Sequence, residues 1–122
     1  MRRVLLVDDD IELCDLLREY LTAESFDVDC VHDGEAGVDR VREGGLDVIV
    51  LDVMMPNMDG PSTLLELRKL PELANTPAMF MTAKVQPQEI EYFKSLGALD
   101  VVPKPFDPMS LSSHIQEIWE KN

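Results

Sequence analysis

Val4-Leu5-Leu6-Val7-Asp8-Asp9-Asp10 is a run of four apolar residues that ends in three acids. A second stretch of the same kind, Val48-Ile49-Val50-Leu51-Asp52, lies further along. Continuously apolar runs of this length are what strands covered on both faces require. Ala78-Met79-Phe80-Met81 and the short Val101-Val102 belong with them. Val28–Val31 instead alternates, with Asp27 and Asp29 beside Val28. That pattern fits an edge strand, where charges discourage pairing with other chains.

Between these five runs the apolar spacing becomes helical. Leu13, Leu16, Leu17, Tyr20 and Leu21 share one face, and Leu64, Leu67 and Leu70 form a second stripe. Ile90, Phe93 and Leu96 make a third, and Leu111, Ile115, Ile118 and Trp119 a fourth, with a weaker set in Ala36, Val38 and Val41. The punctuation agrees: Asp10 is placed to cap the first helix, Pro61 suits the first turn of the third, and Asp107-Pro108 opens the last. Gly97 is positioned as the residue just past the fourth helix. Five strands alternating with five helices predict right-handed βαβ units in an α/β three-layer sandwich. With the second strand at an edge, the five-stranded parallel sheet has the order 2-1-3-4-5, the flavodoxin-like arrangement. Residues 1–122 show no repeat, linker or low-complexity tract and are read as one domain.

Composition removes several classes of function. The chain holds 24 acids and 11 bases, a formal net charge of −13, with 16 acids and 5 bases in residues 1–60. Such a surface repels duplex DNA and anionic membranes, so no direct nucleic-acid or membrane partner is expected. No apolar run approaches the roughly 20 residues of a membrane span, and the first residues leave no room for a signal peptide. Two cysteines, Cys14 and Cys30, are too few to staple the fold; they read as small core residues rather than a redox pair, and the chain as cytoplasmic. Nucleotide-binding glycine loops and a G-x-S-x-G elbow are absent. Asp29, Asp33 and Gly34 lack the remaining ligands of a calcium loop and read as a turn into the second helix. His32 and His114 have no metal-ligand spacing and are assigned surface or capping roles, while Met54, Met55 and Met58 are explained by packing.

In the order 2-1-3-4-5 the chain reverses between strands 1 and 3, and ligands bind beyond the carboxyl ends at that point. Asp8, Asp9 and Asp10 follow the first strand there, and Asp52 follows the third. Like-charged carboxylates about 4 Å apart repel by on the order of 4 kcal/mol at an effective dielectric near 20, so the cluster protonates or binds a cation. Carboxylate oxygens without His or Cys favour Mg²⁺, with Mn²⁺ as the second choice. Thr82 and Lys104 end the fourth and fifth strands on the same edge. Singly, Thr82 reads equally as a strand cap and Lys104 as an ion-pair partner. Together with the acids they are the parts that hold a phosphoryl group, for which a carboxylate can be the acceptor.

The segments Val7-Asp8-Asp9-Asp10, Leu51-Asp52-Val53-Met54-Met55-Pro56-Asn57-Met58-Asp59-Gly60, Met81-Thr82-Ala83 and Pro103-Lys104-Pro105-Phe106 resemble the receiver domain of two-component response regulators, in particular the single-domain, chemotaxis-regulator-like members. The resemblance covers essentially the whole chain. It implies a phosphorelay switch in which Asp52 accepts a phosphoryl group from a sensor histidine kinase or phosphotransfer protein. It further implies that Asp9 ligates Mg²⁺ directly, Asp8 mainly through water, and Asp52 and the Met54 backbone carbonyl complete the protein ligands. Thr82 is then expected to bind a phosphoryl oxygen, Lys104 to pair with the phosphoryl group, and Lys104-Pro105 to be a cis peptide.

One position departs from the family. The residue three before the lysine, commonly aromatic, is Val101. Backbone shifts of the loop after strand 4 and of the fourth helix are therefore expected to carry the switch. Met54 and Lys84 flank the expected path of a hydrolytic water, and the apolar Met54 is expected to prolong the phosphorylated state. Output is expected from the fourth helix–fifth strand–fifth helix face, through a downstream protein or a homodimer. The alternatives are a Mg²⁺-dependent aspartyl-phosphate phosphohydrolase and a receiver cut from a DNA-binding regulator. The first needs a second Asp two residues after the nucleophile, where Met54 stands, so no enzyme is expected beyond self-phosphorylation from a donor and slow self-dephosphorylation.

Overall fold

A computed structural model of the chain describes residues 2–55, 58–71, 76–83, 86–104 and 108–121. The Lys104-Pro105 peptide, Asp107 as a cap, Pro56-Asn57, Phe106 and Lys84 lie outside the described residues. The strands are β1 (Arg2–Val7), β2 (Phe26–Val31), β3 (Val48–Asp52), β4 (Ala78–Thr82) and β5 (Asp100–Pro103). The helices are α1 (Ile11–Ala23), α2 (Gly34–Arg42), α3 (Gly60–Arg68), α4 (Pro87–Ser95) and α5 (Pro108–Lys121). The sheet is parallel throughout, in the order β2-β1-β3-β4-β5.

Because successive strand residues face opposite sides, the sheet builds two cores. Leu5, Val7, Ile49, Leu51, Phe80 and Val101 pack against Val41 of α2, Leu64 and Leu67 of α3 and Phe93 of α4. Val4, Leu6, Val48, Val50, Met79, Met81 and Val102 pack against Leu17 and Leu21 of α1 and Leu111, Ile115 and Ile118 of α5. Burial on both faces explains the uninterrupted apolar runs of β1, β3 and β4. β2 lies at the edge as its alternation requires, and its exterior charges are paired within the chain: Arg40 Nη2 is 2.6 Å from Asp29 and Arg3 Nε 3.1 Å from Asp27. At the other edge β5 ends in Pro103, a position where a missing N–H costs no ladder bond.

The helix ends follow their sequence signals. Asp10 accepts from the Leu13 N–H at 3.1 Å and caps α1; Asp33 and Asp59 cap α2 and α3 in the same way. Gly97 takes a φ of +105° just past α4. Leu16 departs from its assigned face and is 53% exposed. The helix is rotated so that Cys14, Leu17 and Leu21 meet the sheet, with Cys14 a small core residue as expected. Met55 is buried as packing predicts, but Met54 is 65% exposed, so packing does not account for it.

Candidate functional site

Each strand of the switch region delivers one polar residue at its carboxyl end. Asp8 follows β1, Asp52 ends β3, Thr82 ends β4 and Lys104 follows β5. Backbone bonds that extend the ladder hold these ends together. The Asp8 N–H donates to Val31 O at 3.1 Å, Val53 N–H to Met81 O at 2.9 Å and Lys104 N–H to Thr82 O at 2.8 Å. The β3–α3 loop then folds back until the Gly60 N–H reaches Val53 O at 2.9 Å. A Cβ at Gly60 would lie 2.4 Å from Asp52 O and 2.9 Å from Val53 Cα, so only glycine permits this approach.

Asp8, Asp52 and Thr82 are buried, while Asp9 is exposed at the rim. Asp8, Asp9 and Asp52 each offer a carboxylate oxygen within 4.8 Å of the others. Lys104 Nζ donates to Asp8 Oδ2 at 2.8 Å and to Asp52 Oδ1 at 3.2 Å, and the other Asp8 oxygen accepts from the Asp10 N–H at 2.9 Å. Thr82 sits on the neighbouring strand one residue beyond Met81, the register partner of Asp52.

The electrostatics follow from burial and from this charge count. Burial pushes the Asp52 carboxyl up to about 6, and the Asp8 charge adds to it; Lys104 opposes, and Asp9 raises it a little further. Burial pulls the Lys104 ammonium down, but its hydrogen bond to Asp8 and the charges of Asp8 and Asp52 outweigh that, leaving it raised. Three carboxylates against one ammonium leave a formal excess of two negative charges, which a hard divalent cation would neutralise. The cluster can therefore hold a cation, present a nucleophilic carboxylate and offer a fixed ammonium to an anion. A cavity of about 880 Å³ lies at the opposite, amino-terminal ends of the strands, bordered by Arg2, Phe26, Asp47 and Trp119. It gathers no comparable set of groups, so chemistry rather than size identifies the site.

Two residues at the site escaped the sequence reading. Cys14 Sγ–H donates to the Asp8 carbonyl at 3.4 Å, and His32 Nδ1 lies 3.1 Å from the same oxygen. His32 is exposed as expected, but its partner is set by the pairing of Val7 with Val31, which no local signal reveals. His114 pairs with Asp100 at 2.5 Å, joining α5 to β5. Met54 follows Asp52 by two residues with its side chain in solvent. Val101 is buried between the sheet and α4, beside Phe80 in the register and Phe93 in the core.

Known proteins share both the sequence pattern and the architecture. The family model described as the response regulator receiver domain matches residues 4–116. The transcriptional regulatory protein CpxR of Escherichia coli K12 is 39% identical over all 122 residues, which correspond to 51% of its own length. The CpxR homolog of Haemophilus influenzae is 38% identical over the same span, 52% of its length. The chain thus spans about half the length of these curated relatives. Among solved structures, the Vibrio cholerae chemotaxis protein CheY4 superimposes with a TM-score of 0.92 at 29% identity, covering 97% of this chain and 98% of that one.

Proposed function

The chain belongs to the response regulator receiver domain family, and from that premise we propose that Asp52 is its phosphoacceptor, charged by a phosphohistidine on a sensor histidine kinase or phosphotransfer protein. The observation that carries this reading is Lys104, whose ammonium bridges the buried Asp8 and Asp52 beside a third carboxylate. An Asp52 oxygen forms the bond to phosphorus as the phosphorus–nitrogen bond to the donor histidine breaks, and the bond electrons leave with the imidazole. With its carboxyl at about 6, Asp52 is ionised at neutral pH and more basic than an ordinary carboxylate. Lys104 is charged there and lies within reach of both Asp52 and the phosphoryl oxygens attached to it. Thr82, at the end of the adjacent strand, is assigned the remaining phosphoryl oxygen.

Asp8, Asp9, Asp52 and the Met54 carbonyl are assigned to Mg²⁺, with Mn²⁺ as a substitute; the all-oxygen donor set and its excess negative charge fit such an ion. When bound, the cation supplies charge neutralisation to the transferring phosphoryl group. The exposed Met54 brings no acid to the position two beyond Asp52, which favours a switch that holds its phosphoryl group over a phosphohydrolase.

The output is proposed to run through the face of α4, β5 and α5, toward a downstream protein or a second copy. Phosphorylation there shifts a pre-existing balance of conformations. With Val101 in the core where an aromatic residue is usual, the shift is carried by the β4–α4 loop and α4. A second reading, that the domain serves a longer transcriptional regulator, is favoured by relatives of that name matching the whole chain at 38–39% identity. In either case the domain acts in the cytoplasm and makes no direct nucleic-acid contact, in keeping with its net charge of −13.

Incubation with acetyl phosphate and Mg²⁺ tests the assignment. The wild-type chain is expected to gain one phosphoryl group by intact mass and Asp52→Ala none. Phosphorylation that persists in the variant refutes Asp52 as the acceptor.

A further inference from the structure

The carbonyl of Asp8 lies where two strands part. β1 and β2 pair in register up to Val7 and Val31, and the Asp8 N–H extends the ladder by one bond, to Val31 O at 3.1 Å. Beyond that point β2 ends and the chain turns into α2, which Asp33 caps. The carbonyl of the buried Asp8 therefore needs a donor from outside the ladder. Two side chains from different parts of the fold supply it: Cys14 Sγ of α1 at 3.4 Å, and His32 Nδ1, from the residue just past β2, at 3.1 Å. A carbonyl only accepts, so Nδ1 carries the proton in this bond. A thiol is a weak donor and a ring N–H a stronger one, which makes His32 the principal anchor of this oxygen.

This oxygen belongs to the peptide that joins Asp8 to Asp9. Resonance keeps that peptide planar, so anchoring its oxygen fixes the direction in which Asp9 leaves β1. Asp8 has a second constraint, the 2.9 Å bond from the Asp10 N–H to its Oδ1. Asp9 is exposed, yet it offers a carboxylate oxygen within 4.8 Å of those of Asp8 and Asp52. We infer that His32 is a positioning residue for the cation pocket, its Nδ1–H holding the Asp8–Asp9 peptide so that both carboxylates meet Asp52. The inference rests on the assignment of those carboxylates to Mg²⁺ and adds to it a residue outside the ligand set. Hydrogen-bond partners that orient metal ligands are typically worth about 10- to 100-fold in metal affinity. His32 holds the backbone of a ligand rather than its carboxylate, so the lower end of that range applies.

Mg²⁺ is titrated calorimetrically into the metal-free wild-type chain, His32→Ala and His32→Asn at one fixed pH, and each chain is unfolded by urea in chelator. His32→Ala is expected to bind Mg²⁺ about tenfold more weakly. His32→Asn is expected to recover most of that loss, because its amide nitrogen stands as many bonds from the backbone as Nδ1 does. In labelling by acetyl phosphate, the Mg²⁺ concentration for half-maximal rate should rise by the same factor in His32→Ala, with the rate at saturating Mg²⁺ kept. Wild-type Mg²⁺ affinity in His32→Ala, including the case in which only urea stability falls, overturns the role of His32 and leaves the assignment of Asp52 standing. An equal loss in His32→Asn also overturns it, because the bulk of the ring and not its N–H is then responsible. A wild-type chain that binds no Mg²⁺ overturns the cation assignment and this inference with it.

Discussion

Replacing Asp52 by Asn should make the metal-free protein more stable, although it removes the group on which the proposed chemistry depends. Asp52 is 5% exposed, and burial together with the charges of Asp8 and Asp9 outweighs the attraction of Lys104, moving its carboxyl from 3.8 to about 6. Above both values such a shift corresponds to roughly 3 kcal/mol by which ionisation disfavours the folded state. The folded chain binds the proton more tightly than the unfolded one. The stabilisation from protonated Asp52 is therefore complete below about 3.8 and lost as pH rises through about 6. Asn cannot ionise, and its amide oxygen can still accept from Lys104. Urea unfolding of wild type and Asp52→Asn in the presence of a chelator, from pH 4 to pH 8, should show the variant about 2–3 kcal/mol more stable above pH 7, with the gain vanishing toward pH 4. A variant that is no more stable at pH 7.5, or a gain that does not change with pH, refutes the account of the pocket as an uncompensated acidic cluster.

Gly60→Ala drives a methyl group against the Asp52 and Val53 backbone, so denaturant unfolding should show a loss of about 2–3 kcal/mol, and labelling by acetyl phosphate should fall. Ser25 holds a φ of +71°, and Ser25→Gly should raise stability by about 1 kcal/mol; a neutral or destabilising effect by the same measurement refutes strain at that turn. Met54→Asn replaces an exposed apolar side chain beside Asp52 with one that can orient water, and should shorten the lifetime of the phosphorylated state followed by intact mass. An unchanged lifetime removes Met54 as a barrier to hydrolysis.

Much of this is legible in the sequence. The uninterrupted runs of β1, β3 and β4 identify strands buried on both faces, and Asp27 and Asp29 mark β2 as an edge, which together order the sheet. Asp10, Asp59 and Gly97 act where their local chemistry places them, because caps are decided within a few residues. The α1 stripe is less informative: Leu16 satisfies the helical spacing but faces solvent, since the rotation of a helix is chosen by the sheet it packs on. Likewise the Cys14–Cys30 contact and the two donors on the Asp8 carbonyl join residues 6 to 24 positions apart and depend on strand register.

From sequence alone follow the number and kind of elements, their order in the sheet and the edge at which Asp8, Asp52, Thr82 and Lys104 collect. These depend on periodicity and on charges at the ends of apolar runs, which are properties of neighbours in the chain. Tertiary structure alone decided that Lys104 bridges Asp8 and Asp52, that burial makes Asp52 a weaker acid, and that Cys14 is both the partner of Cys30 and a donor to Asp8. Distances of 3 to 4 Å between separate elements are set by packing and register, which spacing along the chain does not encode.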